Sequence, residues 1–129
     1  MDDAERLKRG EAARRRVLGN EWVDRSAKNR NAFNAEWVDH ITRNPWCDVW
    51  TRPRFDDRTR RILVIGTMIT LGRWDEFKLH VRAALTVGGF SPNDIREIIL
   101  QQAAYCGVPA GNHAVKEAET VLRDLGKLS

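Results

Sequence analysis

Apolar residues recur every three or four positions along most of this chain, and no stretch alternates convincingly between apolar and polar residues. Phe33, Trp37 and Ile41, for example, are spaced four apart. Such spacing is typical of helices that bury one face, whereas half-buried strands alternate with period two. The sequence therefore predicts an all-α protein. A length of 129 residues fits one domain, so we expect a single-domain bundle of about six helices over residues 1–129.

Capping residues and helix breakers set the predicted boundaries. The clearest helix start is "SPND" at 91–94, with Ser91 as N-cap and Pro92 at the first helical position. Pro45 is expected to end the second helix, and the segment 45–55, with two tryptophans and two prolines, is expected to be an ordered loop. The six predicted helices cover about 3–17, 27–44, 57–71, 73–87, 92–105 and 109–125.

The third predicted helix is apolar nearly all round after Arg61. Such a helix is expected to be buried on every side. A domain of this size has difficulty covering it alone, so we expect a subunit interface and a homo-oligomer.

Composition and charge exclude several classes of protein. The longest apolar run, 62–72, is well short of the about 20 residues that cross a bilayer, and the charged N-terminus lacks the apolar region of a secretory signal. Two distant cysteines suggest no disulfide framework, so we expect a cytoplasmic protein without membrane contact. The net charge of +4 comes with no nucleic-acid-binding motif. Scattered arginines suit small substrates that carry carboxylates.

Glu76 and His80 form the most informative pair of polar residues. They lie four apart in the fourth predicted helix, so their side chains share one face. The spacing alone is typical of a surface pair. Apolar neighbours suggest partial burial, which would shift both proton affinities, as acid/base chemistry requires. A metal pair is a third interpretation, but the three histidines of the chain match no metal-ligand spacing, and we expect no metal.

Two further features of the sequence give weaker indications of function. Cys106 lacks a C-x-x-C partner, so disulfide-exchange chemistry has no motif, and a small core residue at a helix end is the simpler interpretation. The turn "YCGVPAGN" at 105–112 directs free N–H groups from the start of the last helix, where a carboxylate or oxyanion could bind.

Four motifs follow one another along the chain. They are W-x-x-V-W-x-R-P at 46–53, T-R at 59–60, E-x-x-x-H at 76–80 and Y-x-G-x-P-A-x-N at 105–112. In this order they resemble the γ-carboxymuconolactone decarboxylase family. The resemblance covers about residues 6–125, and the shared order of the four motifs makes it specific.

The resemblance implies a fold and an activity. It implies the small helical fold shared with alkylhydroperoxidase-like proteins, in a ring-like homo-oligomer, with a hexamer favoured over a trimer. It implies a cofactor-free carboxy-lyase that converts γ-carboxymuconolactone to β-ketoadipate enol-lactone and CO2 in protocatechuate catabolism. In the wider superfamily a two-cysteine motif occupies the equivalent helix. Arg73 and Glu76 stand at those positions here, which removes the redox chemistry and leaves the acid/base part.

This reaction needs cations for two carboxylates, a donor for the developing oxyanion and an acid for the α-carbon. We expect His80 to donate the proton while Glu76 orients it. The remaining predicted substrate-binding residues are Arg52 and Arg60 as the carboxylate clamp, Asn112 with its helix N-terminus at the oxyanion, and Trp50 and Tyr105.

The sequence also departs from the family pattern, which leaves the substrate open. The departures lie at Cys47, Arg54, Val87 and His113. The alternatives are a paralogous lyase or isomerase that acts on a related carboxylated ring, and a non-catalytic oligomer that binds dicarboxylates. A thiol peroxidase is disfavoured by the missing second cysteine.

Overall fold

A computed structural model describes residues 1–128 of the chain. No strand occurs in this range, which confirms the all-α prediction. The helical elements are α1 (Asp3–Leu18), α2 (Asn20–Ala27), α3 (Ala35–Ile41), a π-helical segment (Thr42–Val49), α4 (Asp57–Leu71), α5 (Trp74–Thr86), α6 (Pro92–Cys106) and α7 (Val108–Asp124). None of the helices described is long and apolar enough to cross a membrane.

The chain forms two compact units, one comprising Met1–Asp57 and one beginning at Arg58. The prediction of a single domain over residues 1–129 stays a prediction. In the first unit, α1 begins where the Asp2 carboxylate accepts a hydrogen bond of 2.8 Å from the Glu5 N–H. It packs closely on the π-helical segment, because a side chain on Gly10 would collide with the Thr42 carbonyl oxygen.

The predicted helix over 27–44 is wrong. Helix α2 starts directly after Gly19, and the chain then turns before α3. The side chain of Asn31 stabilises this turn by accepting hydrogen bonds of 2.9 Å from the N–H groups of Phe33 and Asn34. Asn side chains that bond the backbone nearby compete with the helix, and the periodic apolar spacing concealed this turn.

Pro45 does not end the helix as predicted, and the segment after it is not a loop until Val49. Pro45 lies inside the π-helical segment. The Trp50 N–H donates a hydrogen bond of 3.0 Å to the Pro45 carbonyl oxygen, five residues earlier in the chain. A proline in an α-helix loses one hydrogen bond and collides with the carbonyl four residues earlier. The wider π turn accommodates the extra residue and relieves both problems.

The second unit contains one apolar core. Helix α6 begins with a capping box in which Ser91 and Asp94 bond each other's backbone N–H groups, and Pro92 follows as predicted. Gly107, at φ +98°, separates α6 from α7, and α7 packs against both α6 and α5. Core residues with at most 1% exposure include Ile65, Ile69, Phe77, Val81, Ala84, Ile95, Ala114 and Val121.

The described chain alone does not bury α4 on every side, and burial completed by a neighbouring subunit stays a prediction. Ile65 and Ile69 are buried, but Leu63 is 55% exposed and Leu71 is 61% exposed. The helix therefore has one face in the core of its unit and one apolar face that the described residues leave uncovered.

Candidate active site

His80 lies at the centre of α5, beside the core. Phe77, Val81 and Ala84 on this helix are fully buried, and the imidazole sits at the edge of that stripe, half-buried. Its Nδ1 is buried and has no hydrogen-bond partner in the described part of the structure. Buried polar atoms in proteins almost always have partners, so this nitrogen is a candidate contact for a bound molecule.

The surroundings of His80 favour its neutral form. Burial lowers the pKa of the imidazole, the charge of Arg61 lowers it further, and the charge of Glu76 raises it, so that the pKa falls from 6.5 to about 4. Desolvation disfavours the charged imidazolium, and a nearby cation repels it. At neutral pH the resting side chain is therefore uncharged.

Glu76 lies one turn before His80 and is exposed. The His80 Nδ1 has no hydrogen bond to this carboxylate. The carboxylate acts on the imidazole electrostatically, and its negative charge raises the pKa of His80. The arrangement is therefore not a closed hydrogen-bonded pair. Glu76 supplies negative charge at the solvent side of the imidazole.

Arg61 is a functional candidate that the sequence reasoning passed over in favour of Arg60. It is only 3% exposed, on the second turn of α4. An added Cβ on Gly88 would lie 2.8 Å from the Arg61 Nε, so this side chain passes directly over Gly88. A signal was present in the sequence, because Arg61 precedes the buried Ile65 by one helical turn and so lies on the core-facing stripe of α4.

The other predicted substrate residues lie on separate elements. In the second unit, Arg60 is half-buried on α4, Tyr105 is 83% exposed near the end of α6, and Asn112 is exposed near the start of α7. In the first unit, Trp50 is buried and stacks on Trp46, with ring centroids 5.4 Å apart.

Arg52, also in the first unit, is exposed. Of the predicted site residues, the structure brings only Glu76 and His80 onto one helix face. Within residues 1–128, no cluster of three potential ligands could hold a metal ion.

The four residues that depart from the family pattern differ in burial and in their contacts. His113 stacks on Trp74 at 4.2 Å between ring centroids and lies 3.4 Å from a Glu117 oxygen, so it joins α7 to α5. Cys47 is buried, whereas Arg54 and Val87 are exposed.

Cys106 is half-buried at the end of α6. Its Sγ lies 3.3 Å from the Thr70 hydroxyl oxygen.

Comparison with known proteins identifies the family. The sequence profile of the Carboxymuconolactone decarboxylase family matches residues 35–120. The chain belongs to this family. It is 40% identical over 126 residues to the 4-carboxymuconolactone decarboxylase of Acinetobacter baylyi (strain ATCC 33305 / BD413 / ADP1), covering 98% of this chain and 93% of the relative.

A second relative is fungal. The nitrosuccinic acid decarboxylase npaB of Metarhizium robertsii (strain ARSEF 23 / ATCC MYA-3075) is 34% identical over 116 residues, covering 90% of this chain and 80% of the relative. Both relatives are decarboxylases by name, and together with the family they confirm the predicted carboxy-lyase class. The family also confirms the predicted fold class.

Proposed function

We propose that this protein converts γ-carboxymuconolactone to β-ketoadipate enol-lactone and CO2, as a step of protocatechuate catabolism. The similarity to the bacterial relative, over nearly the full length of both chains, supports this substrate. The observation that carries the mechanism is the half-buried His80, with an unbonded Nδ1 and a pKa that burial and the charge of Arg61 lower and the charge of Glu76 raises.

The substrate supplies its own electron sink. The departing carboxylate is attached to the ring carbon that a double bond links to the lactone carbonyl. When the carbon–carboxylate bond breaks, its electron pair moves through the ring onto the carbonyl oxygen and forms a dienolate. A proton then adds to the α-carbon, so a dianion and one proton become a monoanion and CO2. The enzyme has to stabilise the oxyanion and deliver that proton.

His80 is the proposed proton donor. Because the resting imidazole is neutral, it must gain a proton when the substrate binds. A carboxylate beside it favours the imidazolium by the same electrostatic rule that lets Arg61 oppose it. The negative charge of Glu76 favours the imidazolium form of His80, as the substrate carboxylate does. A substrate that displaces water from the imidazole would strengthen both interactions.

The remaining assignments stay predictions from the sequence. Arg60 would bind one carboxylate, and a planar guanidinium can do so through two hydrogen bonds. The others are Arg52 at the second carboxylate, Asn112 at the oxyanion, and Trp50 and Tyr105 along the substrate. Single alanine variants test them, since loss of a binding residue raises KM while loss of an oxyanion donor lowers kcat.

Incubation of the purified protein with γ-carboxymuconolactone tests the proposal directly. We expect release of one CO2 per substrate and, in deuterium oxide, one deuterium at the α-carbon of the product. A protein that binds the lactone but releases no CO2 and incorporates no deuterium would be the non-catalytic oligomer instead. A rearranged product without CO2 would indicate an isomerase.

Nitrosuccinic acid is a second candidate substrate, favoured by the 34% identity to the fungal relative. It too carries two carboxyl groups, and its nitro group takes up the electron pair when CO2 leaves the carbon that bears it. Comparison of kcat/KM for the two acids at the same pH decides between them. A higher value for nitrosuccinate would replace the lactone as the proposed substrate.

We also propose a homo-oligomer, with a hexamer favoured and a trimer as the alternative. The support is the set of large apolar side chains that the described chain leaves exposed in its second unit, on α4, α6 and α7, because apolar surface left exposed on one chain is often covered by a second subunit. They are Leu63, Leu71, Leu100, Tyr105, Val108 and Val115. Light scattering on the purified protein gives the mass, and a monomeric mass would contradict the proposal.

The cytoplasmic location is part of the same proposal. Cys47 and Cys106 are free thiols, as expected in a reducing compartment. Fractionation of the source cells tests it.

A further inference from the structure

We propose that the turn between α2 and α3 docks into an apolar groove between α6 and α7 of a second copy of this chain. This docking turn comprises residues 29–37 and presents the side chains of Phe33 and Trp37. The inference rests on the proposed homo-oligomer and names the two surfaces that meet in it. Neither surface includes a predicted site residue.

Side-chain hydrogen bonds hold the docking turn in one shape. The Asn31 side-chain oxygen accepts hydrogen bonds of 2.9 Å from the N–H groups of Phe33 and Asn34. The Asn34 side-chain oxygen accepts one of 2.8 Å from the Asn31 N–H. Arg30 ties the turn to α3, because its guanidinium donates two hydrogen bonds, of 2.9 and 3.1 Å, to the Asp39 carboxylate. A turn that is already ordered loses little conformational entropy when it binds.

The aromatic side chains of this turn are exposed in the single chain. Phe33 is 95% exposed and Trp37 is 62% exposed. The indole of Trp37 stacks on the His40 ring, with ring centroids 5.8 Å apart, which restricts its orientation. Buried aromatic side chains provide much of the binding energy at protein interfaces. The docking turn therefore has both the rigidity and the side chains of an interface anchor.

The groove lies in the second unit and has about 320 Å³ of free volume. Its lining includes the buried residues Ile95, Ile99 and Ala118 and the exposed residues Leu100 and Val115. Apolar pockets that hold small organic molecules begin at about 300 Å³, so the groove has room for an aromatic side chain. The described chain leaves this apolar surface open to solvent.

The charges of the two surfaces are complementary. Arg96 and Lys127 line the groove, while the Glu119 carboxylate beside them lies 3.7 Å from the Arg123 guanidinium. The rim of the groove is therefore positive. Glu36 is exposed between the two aromatic residues of the docking turn and brings a negative charge to the same contact. Opposite charges at the edge of an interface favour this pairing over others.

A second copy is the occupant that accounts for both surfaces. Each chain contains the docking turn in its first compact unit and the groove in its second. A subunit can therefore insert its turn into one neighbour and accept the turn of another. Such a head-to-tail contact is heterologous, and it closes into a ring when the rotation between subunits fits.

Photo-cross-linking tests the contact directly. Phe33 is replaced by p-benzoylphenylalanine, an aromatic residue that on irradiation forms a covalent bond to a neighbouring C–H group. We expect a product of twice the chain mass on a denaturing gel, with the cross-link mapped by mass spectrometry to groove residues such as Leu100 or Val115. The same probe at the exposed Arg9, also in the first unit, is the control and should give no cross-link to the groove.

Light scattering over a dilution series measures the energetic part of the proposal. Phe33→Ser should raise the dissociation constant of the assembly by about 30-fold or more, as for an interface anchor. Phe33→Leu keeps an apolar side chain and should have a smaller effect. Both variants should fold, because the side chain is exposed in the single chain.

The outcomes separate this inference from the proposals on which it rests. A cross-link outside the groove or within one chain, or an unchanged dissociation constant for Phe33→Ser, overturns the inference while the homo-oligomer stands. A monomeric wild-type protein overturns both. The proposed decarboxylation is tested by CO2 release, which none of these measurements uses.

Discussion

At the scale of single residues, the state of His80 depends on its surroundings more than on its partner in the sequence motif. Glu76 stands one helical turn away, yet burial and Arg61 have the larger effects on the imidazole. The reason lies in the phase of α5. Glu76 projects outward, while His80 borders the buried stripe formed by Phe77, Val81 and Ala84.

Replacement of His80 by Gln should remove the proton donor while retaining a polar side chain of similar size. We expect kcat to fall by roughly 10²- to 10⁴-fold, the usual contribution of a positioned acid. KM should change less, because the proposal assigns the substrate carboxylates to other residues. Steady-state kinetics on γ-carboxymuconolactone give both constants. Full turnover by the variant would exclude His80 as the donor.

The lowered pKa of His80 also makes stability depend on pH. The unfolded chain binds a proton below about pH 6.5, whereas folded His80 binds one only below about pH 4. Because the unfolded state binds more protons between these values, the free energy of unfolding should decrease as the pH falls from about 6.5 to 4. The loss from this residue is up to about 3 kcal/mol.

Urea denaturation at pH 7 and pH 4.5 measures this effect. His80→Gln provides the comparison, because it lacks the titrating group and should lose less stability over the same interval. Equal losses in the two proteins would contradict the shifted pKa.

At the scale of helices, local signals in the sequence are reliable where a cap or a glycine ends the helix. The start of α1, the Ser91 N-cap of α6 and the break between α6 and α7 lie close to where they are predicted, since each depends on hydrogen bonds between residues close in sequence. The π-helical segment was missed. In the sequence, Pro45 indicates the end of a helix. The wider turn is supported by the packing of this segment against α1, which the sequence does not reveal.

That packing makes Gly10 a sensitive position. Gly10→Ala would gain up to about 1 kcal/mol of helix propensity. The new methyl group would collide with the Thr42 carbonyl, which belongs to the backbone and cannot rotate aside as a flexible side chain can. Such overpacking typically costs about 1–3 kcal/mol, so we expect net destabilisation. Thermal denaturation checks the sign, with the exposed Arg9→Ala on the same helix as control, and a stabilised Gly10→Ala would show that the two elements separate easily.

At the scale of the whole molecule, the second unit contains the Glu76/His80 pair and also the apolar surface that one chain does not cover. The apolar positions on α4 predict a burial that the single chain does not supply, since Leu63 and Leu71 are exposed in the chain as described. Assembly is therefore the property that most needs measurement.

Leu63→Asp tests the interface. The side chain is exposed in the single chain, so the substitution should leave the fold intact, while a charge buried between subunits is strongly unfavourable. We expect light scattering to show a smaller assembly or a monomer. Leu63→Met is the control and should keep the mass of the wild-type protein. An unchanged mass for Leu63→Asp would place the interface elsewhere.

The sequence by itself determined the helical class, most helix ends, the family and the location of the Glu76/His80 pair, because these depend on spacing and on neighbours a few residues away. Only the tertiary structure decided that Arg61 is buried over Gly88 and that His80 is neutral at rest. Desolvation and the field of a distant charge arise when separate helices pack together, and no local pattern of residues specifies them.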